Sequence, residues 1–286
     1  MTRVKNAIDR LKQLGIAAQI FGEGPEVVIC VHGWLDNSNS FQPMLCKIDA
    51  KYTYIAIDLK GHGQSQWRSS DAHYYFVDYV YDLLKVIDVL QVTQCHLIGH
   101  SLGAMVCGLF SALYPERIKS LVMIEGIGLV CTEPDGIKQQ MLDSFEQRNV
   151  TGKFKKRLYS SFDALITARS LAGDITKKDA ALLMSRNTQK VEGGYYLTTD
   201  PRLKTQSGFR FAKAQALAAL KDITVPSLLI IGDAGYDFVK QNCSIFKSNF
   251  NVLEVKEIPG GHHCHMDSPQ QCIMLVEQHM NRNTLT

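Results

Sequence analysis

The sequence predicts an α/β fold: a mostly parallel central sheet flanked by helices, with a helical cap inserted before the last strands. Three observations carry this expectation. Short β-rich apolar runs alternate with longer helical patterns, which is the mark of a parallel sheet covered by helices. The runs at 27–31, 54–57, 95–98, 121–124 and 228–231 lack polar alternation, as strands buried on both faces do. The stretch 126–219 breaks that rhythm, being longer, more polar and more helical than a crossover between adjacent strands needs to be.

Taken in order, Val4, Ile8, Leu11 and Leu14 fall at helical spacing. The polar residues among them, Asp9 included, favour a helix docked on the surface over a targeting segment. Strands 27–31 and 54–57 follow, then an amphipathic helix over 74–90. Strand 95–98 leads into a buried helix over 102–113 that Tyr114-Pro115 stops. After strand 121–124 and the insertion, the strand pattern restarts at Pro226, a further strand is expected over 252–258, and 269–280 reads as a last helix. The expected division is therefore a core of 1–125 with 220–286 and a cap of 126–219. No internal repeat or low-complexity tract interrupts it.

At 286 residues, 45% hydrophobic and 21% charged, the chain has the composition of an ordinary globular protein, which excludes disorder, collagen and coiled coil. The net charge is only +3 and its basic residues are scattered, so no nucleic-acid partner is expected. Eight cysteines form no C-x-x-C pair and sit mostly in apolar runs, pointing to reduced thiols and a cytoplasmic location. No apolar stretch reaches eighteen residues and no signal peptide is evident, so no membrane partner is expected either.

The strongest chemical signal is Gly99-His100-Ser101-Leu102-Gly103, between a strand and a buried helix. A G-x-S-x-G turn in that setting is a nucleophile elbow: small neighbours let the backbone bend sharply enough to push the serine Oγ out of the turn. Taken alone, the pattern also suits a glycine-rich helix start with an N-cap serine. Val31-His32-Gly33-Trp34 closes an earlier strand, where a loop can aim a main-chain N–H at the elbow. The N–H groups of Trp34 and Leu102 are the expected oxyanion donors. Beside them, Trp34, Asp36 and His100 are candidates to contact a small-molecule substrate. Turn formation accounts equally well for Asp36 and Asn37, and His100 suits a role bracing the elbow.

Past the last strand comes Gly260-Gly261-His262-His263-Cys264-His265. A histidine on a glycine loop at the carboxyl edge of the sheet can serve a serine there as general base. His262 directly follows the glycine pair and ranks first, ahead of His263 and His265. Zinc is the alternative chemistry for this cluster, but adjacent ligands on one short loop surround an ion poorly. No metal is expected. His62, in a Gly-His-Gly turn, is expected to pack locally, and Met184, Tyr195, Tyr196, Phe209 and Phe211 to shape an apolar pocket or simply fill the cap's core.

These motifs, with Asp58-Leu59-Lys60-Gly61-His62-Gly63-Gln64-Ser65, resemble the α/β-hydrolase fold family along nearly the whole chain. His32-Gly33-Trp34-Leu35-Asp36-Asn37-Ser38 with Ser40-Phe41, and His262-His263-Cys264-His265-Met266 ahead of Pro269, look like the serine hydrolase-like proteins of that superfamily. That branch is similar to epoxide hydrolases, haloalkane dehalogenases and Renilla-type luciferase. The resemblance implies His262 as base, but a serine in place of the aspartate of epoxide hydrolases and dehalogenases favours acyl chemistry over displacement at an alkyl carbon. Most relatives place the triad acid where this chain has Gly235. The branch that also carries glycine there puts its acid at the end of the preceding core strand, which implies Glu125, with Asp233 and then Asp237 as alternatives.

The reading is a serine hydrolase acting on a small, fairly apolar ester or related acyl compound, without a cofactor. A ligand-binding protein of the same fold with little or no turnover is the alternative. Within enzymes, lactonase, thioesterase and C–C bond hydrolase use the same residues.

Overall fold

The computed structural model describes residues 2–151 and 157–283. Helix α1 (Thr2–Gln13) leads into strands β1 (Ala18–Phe21), β2 (Glu26–Val31) and β3 (Tyr52–Ile57). Helix α2 (Phe76–Leu90), strand β4 (Cys95–His100), helix α3 (Leu102–Leu113) and strand β5 (Ile118–Ile124) follow. The inserted stretch holds α4 (Ile137–Thr151), α5 (Phe162–Leu171), α6 (Lys177–Arg186), β6 (Thr188–Val191), β7 (Gly194–Leu197) and α7 (Lys213–Ala219). The chain closes with β8 (Ser227–Gly232), α8 (Asp237–Phe246), β9 (Leu253–Ile258), α9 (Cys264–Asp267) and α10 (Pro269–Arg282).

The main sheet runs β1-β3-β2-β4-β5-β8-β9 and is parallel except for β1, which pairs antiparallel with β3 at one edge. Its interior strands are buried along both faces, so alternate residues feed two separate cores. Ile29, Val31, Leu97, Met123 and Leu229 face one core with α2 and α3, while Val28, Cys30, Ile98, Val122 and Ile230 face the other with α10. Unbroken apolar runs are what such strands require, because no position faces water. Leu11 of α1 is fully buried in the first of these cores, so this helix is docked. No helix among the described residues is long and apolar enough to cross a membrane.

The inserted stretch was expected to be helical, yet it contains the antiparallel hairpin β6–β7, turning through Gly193 at φ 81°. Tyr195 packs from this hairpin against a small separate core of Leu165, Leu183 and Met184. Polar contacts tie the insertion to the sheet: Arg186 pairs with buried Asp58 at 2.8 Å, Asn37 Nδ2 donates to the Leu183 carbonyl at 2.9 Å, and Trp34 Nε1 donates to the Leu203 carbonyl at 3.0 Å.

Helix α3 presses so closely on β2 that a Cβ at Gly103 would lie 1.9 Å from the Val31 carbonyl oxygen. The oxygen belongs to the backbone and the Cβ position is set by the backbone, so neither can yield by changing rotamer. Gly103→Ala should therefore lose at least about 1–3 kcal/mol of stability, read as a lower urea midpoint. A wild-type midpoint would show that α3 does not approach the strand this closely.

Candidate active site

Strands β4, β5 and β8 are parallel neighbours whose carboxyl ends lie in register, with His100 opposite Ile124 and Ile124 opposite Ile230. The residue after each strand extends the ladder, as Ser101 N–H donates to the Ile124 carbonyl and Glu125 N–H to the Ile230 carbonyl, both at 2.9 Å. Ser101 and Glu125 are thereby placed side by side at one edge. Both leave their strands with positive φ, 51° at Ser101 and 49° at Glu125. That conformation is strained for a side-chain-bearing residue and persists only where its surroundings impose it. At Ser101 the elements on either side, β4 and α3, impose it, and Leu102 begins α3, so its N–H belongs to the first turn, which lacks intrahelical acceptors.

The loop after β9 brings His262 to the same edge. Its Nε2 lies 2.9 Å from Ser101 Oγ and its Nδ1 lies 3.1 Å from Glu125 Oε2. A carboxylate only accepts hydrogen bonds, so Nδ1 carries the imidazole proton and Nε2 turns its lone pair to the serine hydroxyl. The Glu125 side chain has no exposed surface. Its oxygens accept from the N–H groups of Gly232 at 2.8 Å and Tyr236 at 3.4 Å. The Tyr236 ring stacks on His262 with centroids 4.2 Å apart. At Gly235 a Cβ would fall 2.3 Å from Glu125 Oε1, so a side chain there and this carboxylate exclude each other. Asp233 is exposed and accepts from the Gly260 N–H at 2.9 Å, and Asp237 is exposed in the first turn of α8.

Behind His262 lies a buried charged layer. His100 Nε2 donates to the His262 carbonyl at 2.8 Å, and its Nδ1 is 3.5 Å from Asp36 Oδ2. His263 Nε2 donates to the same Asp36 oxygen at 3.1 Å, while Arg169 donates to Asp36 Oδ1 at 2.8 Å. Burial alone would raise the Asp36 pKa, but His263, His100 and Arg169 hold it well below the usual carboxylate range. Burial alone would lower that of His263, and Asp36 raises it instead. Asp36, His100 and His263 offer donor atoms within 4.8 Å of one another, a spacing that could hold a cation. Arg169 already sets one positive charge against this carboxylate, and His263 donates to its other oxygen. Asp36 and His100 do border a cavity, but their polar atoms are directed into this layer, and Asn37 bonds the insertion instead.

Trp34 and Ser101 border two cavities, of about 600 and 370 Å³. Phe209 and Phe211 line the larger and Met184 the smaller, while Tyr195 belongs to the insertion's core. His62 is buried, edge-on to His32 at 5.1 Å, in agreement with local packing.

Three contributors were not anticipated from the sequence. Asp174, between α5 and α6, accepts the His262 N–H at 2.8 Å through its side chain and is within reach of His263 Nδ1 through its carbonyl at 2.9 Å. Arg169 and Tyr236 are the others. Only Tyr236 had a local signal, since it follows Gly235.

The alpha/beta hydrolase fold family matches residues 26–269. The chain is similar to a serine hydrolase-like protein of Dictyostelium discoideum, 30% identical over 273 residues, covering 89% of this chain and 75% of that one. It is also similar to human serine hydrolase-like protein 2, 28% identical over 283 residues, covering 91% and 89%. Among solved structures, a hypothetical protein of Pseudomonas aeruginosa PAO1 superposes with a TM-score of 0.84 at 32% identity, covering 92% of this chain and 93% of that one.

The buried histidines set a pH dependence. Burial lowers the pKa of His62 to about 3 and those of His96 and His100 to about 4, and it lowers those of His32, His265 and His279 as well. The unfolded chain protonates these rings below about pH 6.5, so it binds more protons than the fold and stability falls with acidification. His263 acts in the opposite sense: its contribution is complete below about pH 6.5 and fades as pH rises through its raised folded value. With several lowered rings against one raised, stability should fall from pH 7.5 to 5.5 by on the order of 1 kcal/mol per lowered histidine, read as a lower urea midpoint. A midpoint that is flat or rising over that range would contradict neutral packing of these rings.

Proposed function

The chain belongs to the α/β-hydrolase fold family, and from that premise we propose that it is a serine hydrolase cleaving a small, fairly apolar ester through an acyl-enzyme. The observation that supports this reading most is one continuous line of contacts, Glu125 to His262 at 3.1 Å and His262 to Ser101 at 2.9 Å. In this cycle Ser101 Oγ bonds to the ester carbonyl carbon while its proton passes to His262 Nε2. Glu125 stabilises the imidazolium, and the N–H groups of Trp34 and Leu102 receive the oxyanion. The C–O bond to the alcohol then breaks, its electron pair and the His262 proton going to the departing oxygen. Water repeats the sequence on the acyl-enzyme, giving up a proton to His262 and releasing the acid as that proton returns to Ser101. None of these steps requires a metal or cofactor. Eight free thiols support a reducing, cytosolic setting.

A fluorophosphonate probe should label Ser101, and Ser101→Ala should abolish both labelling and p-nitrophenyl ester turnover. Unchanged turnover in that variant would overturn the reading. The acid has its own test. Glu125→Gly should lower kcat by about 10³–10⁴. In Glu125→Gly/Gly235→Asp the new carboxylate enters the vacated space, and kcat should recover at least about tenfold, because an orienting carboxylate again faces the imidazole. A double variant no better than the single one would separate the two positions.

A further inference from the structure

Resting on the serine-hydrolase reading, we propose that the substrate is an ester of a bulky apolar carboxylic acid with a small alcohol. The acyl group would occupy the larger of the two cavities at Ser101 and the alcohol the smaller.

Once Ser101 has attacked, the carbonyl carbon carries an oxyanion, an acyl substituent and the departing alkoxy group, and each must point somewhere different. The departing oxygen receives the proton held on His262 Nε2, so it has to face that ring. His262 and Tyr236 border only the cavity of about 370 Å³. Leu102, whose N–H is a proposed oxyanion donor, borders only the cavity of about 600 Å³. Ser101 and Trp34 border both, which puts the tetrahedral carbon at their junction. With the alkoxy group on the His262 side and the oxyanion on the main-chain donors, the acyl substituent is left the direction of the larger cavity.

The walls match this partition. Met105, Leu129, Phe211 and Phe238 line the larger space, where an extended or aromatic acyl group buries apolar surface. The smaller is confined by Leu165 and Met184 from the insertion's own core and by Arg169, which the Asp36 contact holds in place. A long alcohol would have to displace that core, whereas a methyl or ethyl group would not.

The test uses the full chain and two isomeric esters, methyl octanoate and heptyl acetate, followed by pH-stat titration beside fluorophosphonate labelling of Ser101. We expect kcat/KM for methyl octanoate to exceed that for heptyl acetate at least tenfold. Val130→Trp, at an exposed wall of the larger cavity, should lower the methyl octanoate to methyl butanoate ratio at least fivefold. Ala168→Phe, at an exposed wall of the smaller one, should lower the octyl to methyl ratio among butanoates. Equal or reversed preference for the isomers, or turnover of neither by a chain whose Ser101 is labelled, would overturn this assignment while leaving a serine hydrolase. Failure of labelling together with absence of any ester turnover would instead remove the hydrolase reading on which it rests.

Discussion

The carboxylate of Glu125 is the fixed point of this site. It is fully enclosed and held by the backbone of Gly232 and Tyr236 as well as by His262. A buried carboxylate without partners is costly, and leaving it in place forces nearby donors to converge on it. The position of the imidazole follows. With Nδ1 committed to Glu125, the ring can present only Nε2 to Ser101, and Tyr236 stacked on its face limits its tilt. The bare backbone at Gly235 is part of the same constraint, since any side chain there would occupy the carboxylate's own volume.

This explains why two positions cannot be read independently. A glycine in the loop after β8 looks, in isolation, like the loss of an acid. Geometry makes it the condition for an acid arriving from β5. Because β5 and β8 are adjacent and parallel, their carboxyl ends open onto the same point, and either can deliver a carboxylate to it. Reaching it from β5 costs Glu125 a left-handed backbone, which Glu125 N–H and the Ile230 carbonyl help to hold.

The main sheet and the elbow were legible because their signals are local. Unbroken apolar runs encode strands buried on both faces, and the glycines around Ser101 encode a bend that few other residues permit. Strand β1 was missed, being four half-buried residues at an edge that leave little pattern. The β6–β7 hairpin is obscured in the sequence although Glu192-Gly193 between two β-prone runs is a turn signal, because the residues around it are helical in character. Glu125 was legible only through resemblance: nothing local distinguishes a carboxylate that ends a strand beside a partner from one that faces water. Asp174 and Arg169 left no trace, since their contacts with His262 and Asp36 join segments with no regular spacing between them.

Those last two residues alter what the insertion does. Asp174 holds the main chain of His262 from the insertion side, while His100 holds its carbonyl from the sheet side. Arg169 reaches the same layer through Asp36. The loop that bears the imidazole is thus fastened between two bodies of the fold, and its two glycines, 260 and 261, cannot by themselves fix its course. An insertion that merely lay over a finished site would make no contact with His262. This one does, so any displacement of the stretch between α5 and α6 away from the sheet must break the Asp174 bonds and release the imidazole loop. The position of His262 and the walls of the smaller cavity at Ser101 consequently depend on the same segment, α5 to Asp174.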